Sequence, residues 1–507
     1  MPRINFVELA VMLVTVAQWL VLATIAGAIV GTGCTFFLYA LFFMIDQTAS
    51  APFWVLAIML PAGGLLNGLL LHYGYRVNAG GLKDSLFDAV HVQKGHMPFR
   101  TILIKPVAAI ITLACGGSAG KEGPCSHIGA SLGAAIGEVL RLNSELRQRL
   151  VACGISAGFA SVFGTPVAGA IYGVEVLSIG RIRHDFLFPA IVAGVTSFQV
   201  SKWWGLPYLY YHLSYLPDFS EMLFFKIIVI GVIAGIVALI FVELVHGMGR
   251  FFTAVRVRFK LWPPLMPLIG GAIIALLALV IPTDYLGLSL PLVERAIGGE
   301  PMPYLGFFWK TLVVAITLGS GFYGGIATPQ FVIGAMAGNA FAPLIGLDPG
   351  LGAAVGLVSV IAAASNTPIA AVLMGMELIG GGIRIVYLAG AAIAAYVIIG
   401  HRSIYLGQRM AYSKSSWMRI RPELEVGAEK VRLSHGLLRW WRKHGPLPHG
   451  AHHLGKGPGG FNRAGEYRAA APLASDAAKT PAPYASKPSA PESSPDKGRD
   501  AGSPDRH

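Results

Sequence analysis

Charge is scarce in this chain: of 507 residues only 13% are Asp, Glu, Lys or Arg, while 54% are hydrophobic and the mean hydropathy is +0.61. A soluble domain needs more charge than this to cover its surface, so that class is excluded and a bilayer is the natural solvent. Cysteine is scarcer still. The four present (Cys34, Cys115, Cys125, Cys153) lie in apolar segments with neither a CxxC nor a Cys/His ligand spacing. That excludes a disulfide scaffold and a thiolate metal site, and leaves them as small buried hydrophobes. No metal or organic cofactor is implied.

Clean, uninterrupted twenty-residue apolar runs are also few. Val11 to Met44, Leu223 to Val245 and Pro263 to Pro282 are each long enough to cross a hydrocarbon core of about 30 Å, but elsewhere GG, GP and PP interrupt the apolar sequence, and glycine reaches 63 residues. Short, tilted or broken helices follow. Broken backbone is tolerated at membrane depth only where protein or a water-filled cavity satisfies its polar groups, so it points to a transport path. The first apolar run far exceeds a signal-peptide core, which argues against cleavage.

The formal charge is +13, and from Tyr412 onward 16 Lys/Arg stand against 9 Asp/Glu. A nucleic-acid partner is not needed to explain this; a basic tail held in the cytoplasm by the positive-inside rule does so. From 413 to 507 the chain is rich in Pro, Ala, Ser, Lys and Asp and is expected to be disordered. Leu437 to Lys443 (LLRWWRK) reads equally as a membrane-surface segment or a solvated linker.

Against this background one repeat stands out. Thr165-Pro166 begins TPVAGAIYGVE, ending at Glu175, and Thr367-Pro368 begins TPIAAVLMGME, ending at Glu377, an offset of 202 residues. Upstream lie GGSAGKEGPCSHIGASLG in the first half and GSGFYGGIATPQFVIGAMAG in the second. Two related halves are expected, about 1–205 and 220–412, within a transmembrane domain of 1–412. Duplicated transporter halves commonly pack about a pseudo-two-fold axis with the substrate near the midplane.

The chemistry concentrates at Gly120-Lys121-Glu122-Gly123-Pro124. An acid at membrane depth is a functional candidate by default. Here glycines let backbone approach an ion, and Pro124 suits a first helical turn whose free N–H groups favour anions. The alternative is an acid paired with a neighbouring cation such as Lys121. The second-half counterpart, Gly324-Gly325-Ile326-Ala327-Thr328-Pro329, repeats the layout without an acid, leaving its amides for a permeating anion.

GKEGP, GGIATP, the TP repeat and a late Tyr405 in GHRSIY together resemble the CLC chloride channels and chloride/proton antiporters, over roughly Phe6 to Tyr412. The resemblance implies an all-α polytopic fold of two inverted halves with about seventeen helices, and a homodimer with one pore per subunit. By position Glu122 resembles the gating glutamate, a tethered anion that is protonated or displaced for passage. Tyr405 matches the tyrosine that holds the central anion, and Ile326 and Ala327 supply the amides that complete that site. Lys121 and Gly123 flank the gate in the same anion-binding region.

Three departures bear on function. Gly80-Gly81-Leu82-Lys83-Asp84 stands where the family usually has GSGIP at the inner mouth, so Gly81 replaces an anion-binding serine and selectivity among chloride, nitrate and fluoride is open. Lys83 either adds positive potential there or pairs with Asp84. Ala327 replaces a frequent phenylalanine, which implies a wider inner pathway. Val176 follows Glu175 where antiporters commonly carry a second glutamate on the proton route. Valine cannot relay a proton, so the expectation is a voltage- or pH-sensitive chloride channel in the cell membrane, with a chloride/proton antiporter as the alternative. His127 and Cys125 near the gate read as helix residues rather than proton relays.

Gly116-Gly117-Ser118-Ala119-Gly120 satisfies GxSxG near His127, but a nucleophile elbow needs a strand-to-helix turn and no strand precedes it, which disfavours an intramembrane serine hydrolase. A purely structural or receptor-like bundle explains helix-packing pairs such as Gly129/Gly133 and Gly334/Gly338. It explains neither Glu122 nor the paired Gly-to-Pro turns. GKEGP lacks the glycine spacing and GK[ST] ending of a P-loop.

Overall fold

The computed structural model describes residues 6–76, 85–213, 218, 220–380, 383–426 and 432–433. Gly80, Gly81, Leu82, Lys83 and Asp84, expected at the inner mouth, lie outside the described residues, as does the LLRWWRK segment of the tail. Sixteen α-helices occur among the described residues, against about seventeen expected. The first half carries α1 (Phe6–Ala49), α2 (Phe53–Arg76), α3 (Leu86–His91), α4 (Thr101–Ala114), α5 (Glu122–Val139), α6 (Ser144–Phe163), α7 (Pro166–Glu175) and α8 (His184–Trp203). The second carries α9 (Glu221–Phe259), α10 (Leu265–Leu277), α11 (Leu290–Ile297), α12 (Gly306–Ser320), α13 (Ala327–Phe341), α14 (Pro349–Ala364), α15 (Pro368–Ile379) and α16 (Ile385–Ile398).

Length divides these helices by role. Only α1, α2 and α9 are long and apolar enough to cross a membrane alone. At 1.5 Å per residue α1 spans about 66 Å, far more than a hydrocarbon core, so it must tilt or protrude. Its exposed Leu13, Val14, Val21, Phe36 and Phe43 form an apolar outer surface, as a helix in a bilayer requires. Helices α4, α10, α12, α14, α15 and α16 are apolar but only 10–17 residues long. Pro263 to Pro282, expected as a full span, yields the 13-residue α10. A helix this short cannot cross the core alone, and wherever its end is buried the free N–H and C=O groups must find partners in the protein.

The cross-linked repeat shows how those ends are satisfied. Helices α7 and α15 each begin Thr-Pro, with proline at the first turn, where its missing N–H costs nothing. Glu175, at the end of α7, accepts from the N–H groups of Ile369 (3.1 Å) and Ala370 (2.8 Å) at the start of α15. Glu377, near the end of α15, accepts from Val167 (3.0 Å) and Ala168 (2.9 Å) at the start of α7. The two repeat helices therefore lie antiparallel, each capping the other. Glu175→Ala strands the buried Ala370 amide and the part-buried Ile369 amide, and should cost about 1–3 kcal/mol, read as a lowered unfolding midpoint in detergent; an unchanged midpoint would remove the reciprocal cap from the list of stabilising contacts.

Helix crossings repeat in the same way. A side chain on Gly129 of α5 would strike the Gly154 carbonyl of α6, and one on Gly338 of α13 would strike the Gly352 carbonyl of α14. Backbone-to-backbone approach of this kind needs glycine and brings the helices close enough for dispersion to hold them where no hydrophobic effect operates. It also fixes where α5 and α13 begin, and those two starts make the site.

Candidate functional site

Two Gly-rich turns meet at the centre. The N–H of Gly120 donates to the Gly325 carbonyl and the N–H of Gly325 donates back to the Gly120 carbonyl, both at 2.7 Å. This pair clamps the starts of α5 and α13 against each other. A Cβ on either glycine would collide with the Glu122 carboxylate where it now sits, so the two glycines leave room for the acid between the turns.

Glu122 is 2% exposed. One carboxylate oxygen accepts from the Ala327 N–H, and the other accepts from the Thr328 hydroxyl at 2.7 Å. The acid of one half is thus held by the helix N-terminus of the other, where free amides and the helix dipole favour negative charge. The pairing with Lys121 is not what the structure shows. Lys121 instead lays its Nζ over the Phe42 ring, 5.1 Å from the centroid.

Beside the carboxylate lies a cavity of about 180 Å³, lined by Glu122, Gly123, Ser126, His127, Tyr172, Val176, Ile326 and Tyr405, with Leu86 and Phe87 from α3 closing one side. Glu122, Gly123, Ile326 and Tyr405, far apart in sequence, therefore share one space with Val176. Ala327 is fully buried and reaches the site through its amide. The Tyr405 hydroxyl is engaged by the Tyr172 hydroxyl at 3.0 Å.

Two further groups fix the surroundings. Buried His127 pairs with buried Lys105, Nε2 to Nζ at 2.9 Å, which matches its reading as a partnered helix histidine. Ser118, the GxSxG serine, is fully buried; it accepts from the Lys310 ammonium at 2.7 Å and donates to the Tyr285 carbonyl at 3.2 Å. No imidazole is its partner in these bonds, so the hydrolase reading gains nothing.

Sequence reasoning missed Thr328, Tyr172 and Lys310. Thr328 was visible as the residue before proline in GGIATP; Tyr172 lies inside the first TP repeat, one helical turn before Val176 and on the same face. Nothing in the sequence brought Lys310 to Ser118.

Residues 63–400 match the family model described as voltage gated chloride channel. The chloride/fluoride channel protein of Pseudomonas syringae pv. tomato is 36% identical over 409 residues, covering 79% of this chain and 88% of that protein. The H(+)/Cl(-) exchange transporter ClcA of Yersinia pestis is 27% identical over 342 residues, 64% of this chain and 70% of that protein. Among solved structures, a CLC-type fluoride/proton antiporter superposes with a TM-score of 0.72 at 31% identity, covering 78% of this chain and 98% of that one. A slow cyanobacterial Cl-/H+ antiporter shares the fold at a TM-score of 0.64 and 22% identity, over 75% of this chain and 94% of that one.

Proposed function

Since the chain belongs to the voltage gated chloride channel family and is a multi-pass membrane anion transporter, we propose that it is a proton-coupled antiporter of small halides, carrying fluoride as well as chloride. The observation that carries this reading is the buried Glu122 carboxylate, seated on the Ala327 amide and the Thr328 hydroxyl. A carboxylate there occupies the place of an anion. Protonation weakens its hold on those donors, and the released side chain leaves them to a halide. One proton bound and one anion admitted are then two sides of a single exchange.

Val176, which cannot relay a proton, points by itself to a channel. The antiporter reading is now preferred, because the relatives just described include exchange transporters and because Glu122 shares its cavity with two tyrosine hydroxyls. Fluoride is favoured as a cargo by the site's chemistry: a compact ion that accepts strong hydrogen bonds suits one amide and one hydroxyl donor, and Gly81 offers no serine hydroxyl for a larger halide. The similarity to proteins named for fluoride supports the same choice. The protein is further read as a homodimer in the cell membrane with its basic tail in the cytoplasm, on the family resemblance and the tail's charge.

The test is flux from proteoliposomes holding the purified chain, with a fluoride or chloride gradient set against a proton gradient and a pH electrode in the same vessel. Protons driven uphill are expected. Halide efflux without coupled proton movement would return the protein to the channel class.

A further inference from the structure

From Tyr405 and Tyr172 in the cavity wall a row of four polar groups, drawn from four separate segments of the fold, runs into the protein. Tyr405 and Tyr172 touch through their hydroxyls at 3.0 Å, the Tyr172 hydroxyl donates to Ser365 Oγ at 3.3 Å, and Ser365 donates to the Gln330 carbonyl oxygen at 2.9 Å. Ser365 and Gln330 are fully buried, and Tyr172 is nearly so. The far end is incomplete: Gln330 Nε2 has no hydrogen-bond partner among the described residues.

We propose that this row is a reversible hydrogen-bond relay that sets whether Tyr405 offers the anion cavity a hydrogen or a lone pair. The proposal rests on the reading that the cavity beside Glu122 is the halide site.

Each hydroxyl has one hydrogen to give. With Ser365 donating to Gln330 and Tyr172 donating to Ser365, the contact between the tyrosines requires Tyr405 to donate to Tyr172. Tyr405 then presents only oxygen lone pairs to the cavity. In that state it accepts a hydrogen bond, from water or from protonated Glu122, and repels an anion.

Turning the Gln330 amide reverses the row. Nε2–H then donates to Ser365, Ser365 to Tyr172, Tyr172 to Tyr405, and the Tyr405 hydrogen points into the cavity, ready for a halide. Every hydroxyl keeps its own hydrogen and only rotates, so no proton is transferred along the row. Both directions keep the same three internal bonds, and each leaves one end of the same amide unpaired. The two states are therefore close in free energy, and a single bond to an ion is enough to select one.

This gives the central position an exclusive choice. A halide selects the donor state; a protonated gate selects the acceptor state. Tyr172, Ser365 and Gln330 act through Tyr405 and are positioning residues, and they supply coupling on the α7 face whose next turn carries Val176 instead of an acid.

The experiment measures halide binding by calorimetry, with sodium fluoride and sodium chloride as probes, on the full chain and on Tyr172→Phe and Ser365→Ala, together with proton-to-halide stoichiometry in proteoliposomes. Tyr172→Phe keeps the ring stacked on Phe159 at 3.8 Å but removes the acceptor that holds the Tyr405 hydrogen. Ser365→Ala frees Tyr172 to donate to Tyr405. Both variants are expected to bind halide about threefold to tenfold more tightly and to move fewer protons per halide, and adding Tyr405→Phe should abolish the gain. Damage to packing would weaken binding instead, so halide affinity equal to or weaker than the parent's in the folded variants overturns the relay. Ser365→Ala decides alone if Tyr172→Phe does not fold. A parent protein that binds halide but drives no protons would sink the antiporter reading while leaving the affinity comparison intact.

Discussion

Glu122→Gln is expected to pass halide with no proton counterflow and at a rate flat across external pH. Glutamine keeps the size of the side chain and one oxygen for the Ala327 amide, but it cannot gain or lose a proton. Its NH2 end also faces the Thr328 hydroxyl, which in the native chain donates to a carboxylate oxygen. A neutral side chain competes poorly with a halide for the donors at the N-terminus of α13, since charge-assisted hydrogen bonds are roughly twice as strong as neutral ones. In the native protein, acid outside should protonate the gate and raise flux; in the variant that slope should vanish. Flux that still responds to external pH in Glu122→Gln, measured with a halide electrode on proteoliposomes, would remove Glu122 from the gating role.

Lys310→Met should produce the largest loss of stability among the substitutions considered, and should loosen the gate as well. Lys310 is fully buried, and its Nζ lies within hydrogen-bond distance of four neutral oxygens that its three N–H groups share: Ser118 Oγ and Ser289 Oγ at 2.7 Å, the Gly287 carbonyl at 2.9 Å and the Tyr285 carbonyl at 3.1 Å. It thereby ties the segment before α11 to the Gly-rich turn that carries Glu122 four residues after Ser118. That turn is held a second time by the Ser118 N–H donating to Thr317 Oγ1 at 3.1 Å. Methionine matches the stem but leaves several acceptors dry, at a cost of about 2–5 kcal/mol. Thermal unfolding in detergent reads the loss directly, and a raised proton-independent halide leak reads the gate. A variant as stable as the parent with an intact gate would show that the ammonium tethers nothing of consequence.

Both effects depend on contacts that span the two halves or bridge separate loops, which bears on what was legible beforehand. The GKEGP and GGIATP turns announced the anion chemistry because glycine beside an acid and before proline has few uses at membrane depth. Their meeting was not announced: the Gly120–Gly325 bridge joins positions about two hundred residues apart, and only folding shows that the acid of one turn sits on the donors of the other. Tyr405 is expected at the anion site by resemblance; in the structure it lines the cavity beside Glu122, with its hydroxyl engaged by Tyr172. Tyr172 and Ser365 passed unnoticed because one aromatic in an apolar helix and one serine in a turn give no periodic signal.

By itself the sequence determined that the protein lives in a bilayer, that its fold is helical with a repeated Thr-Pro motif, and that a glycine-flanked acid stands among apolar segments, because composition, repeat spacing and glycine-proline punctuation act locally and survive without a fold. The tertiary structure alone decided which donors hold Glu122, where Lys310 spends its charge and which way Tyr405 can point. Those choices are made by hydrogen bonds between distant segments in a solvent that supplies no substitutes, so each buried polar group takes the partner that packing brings to it.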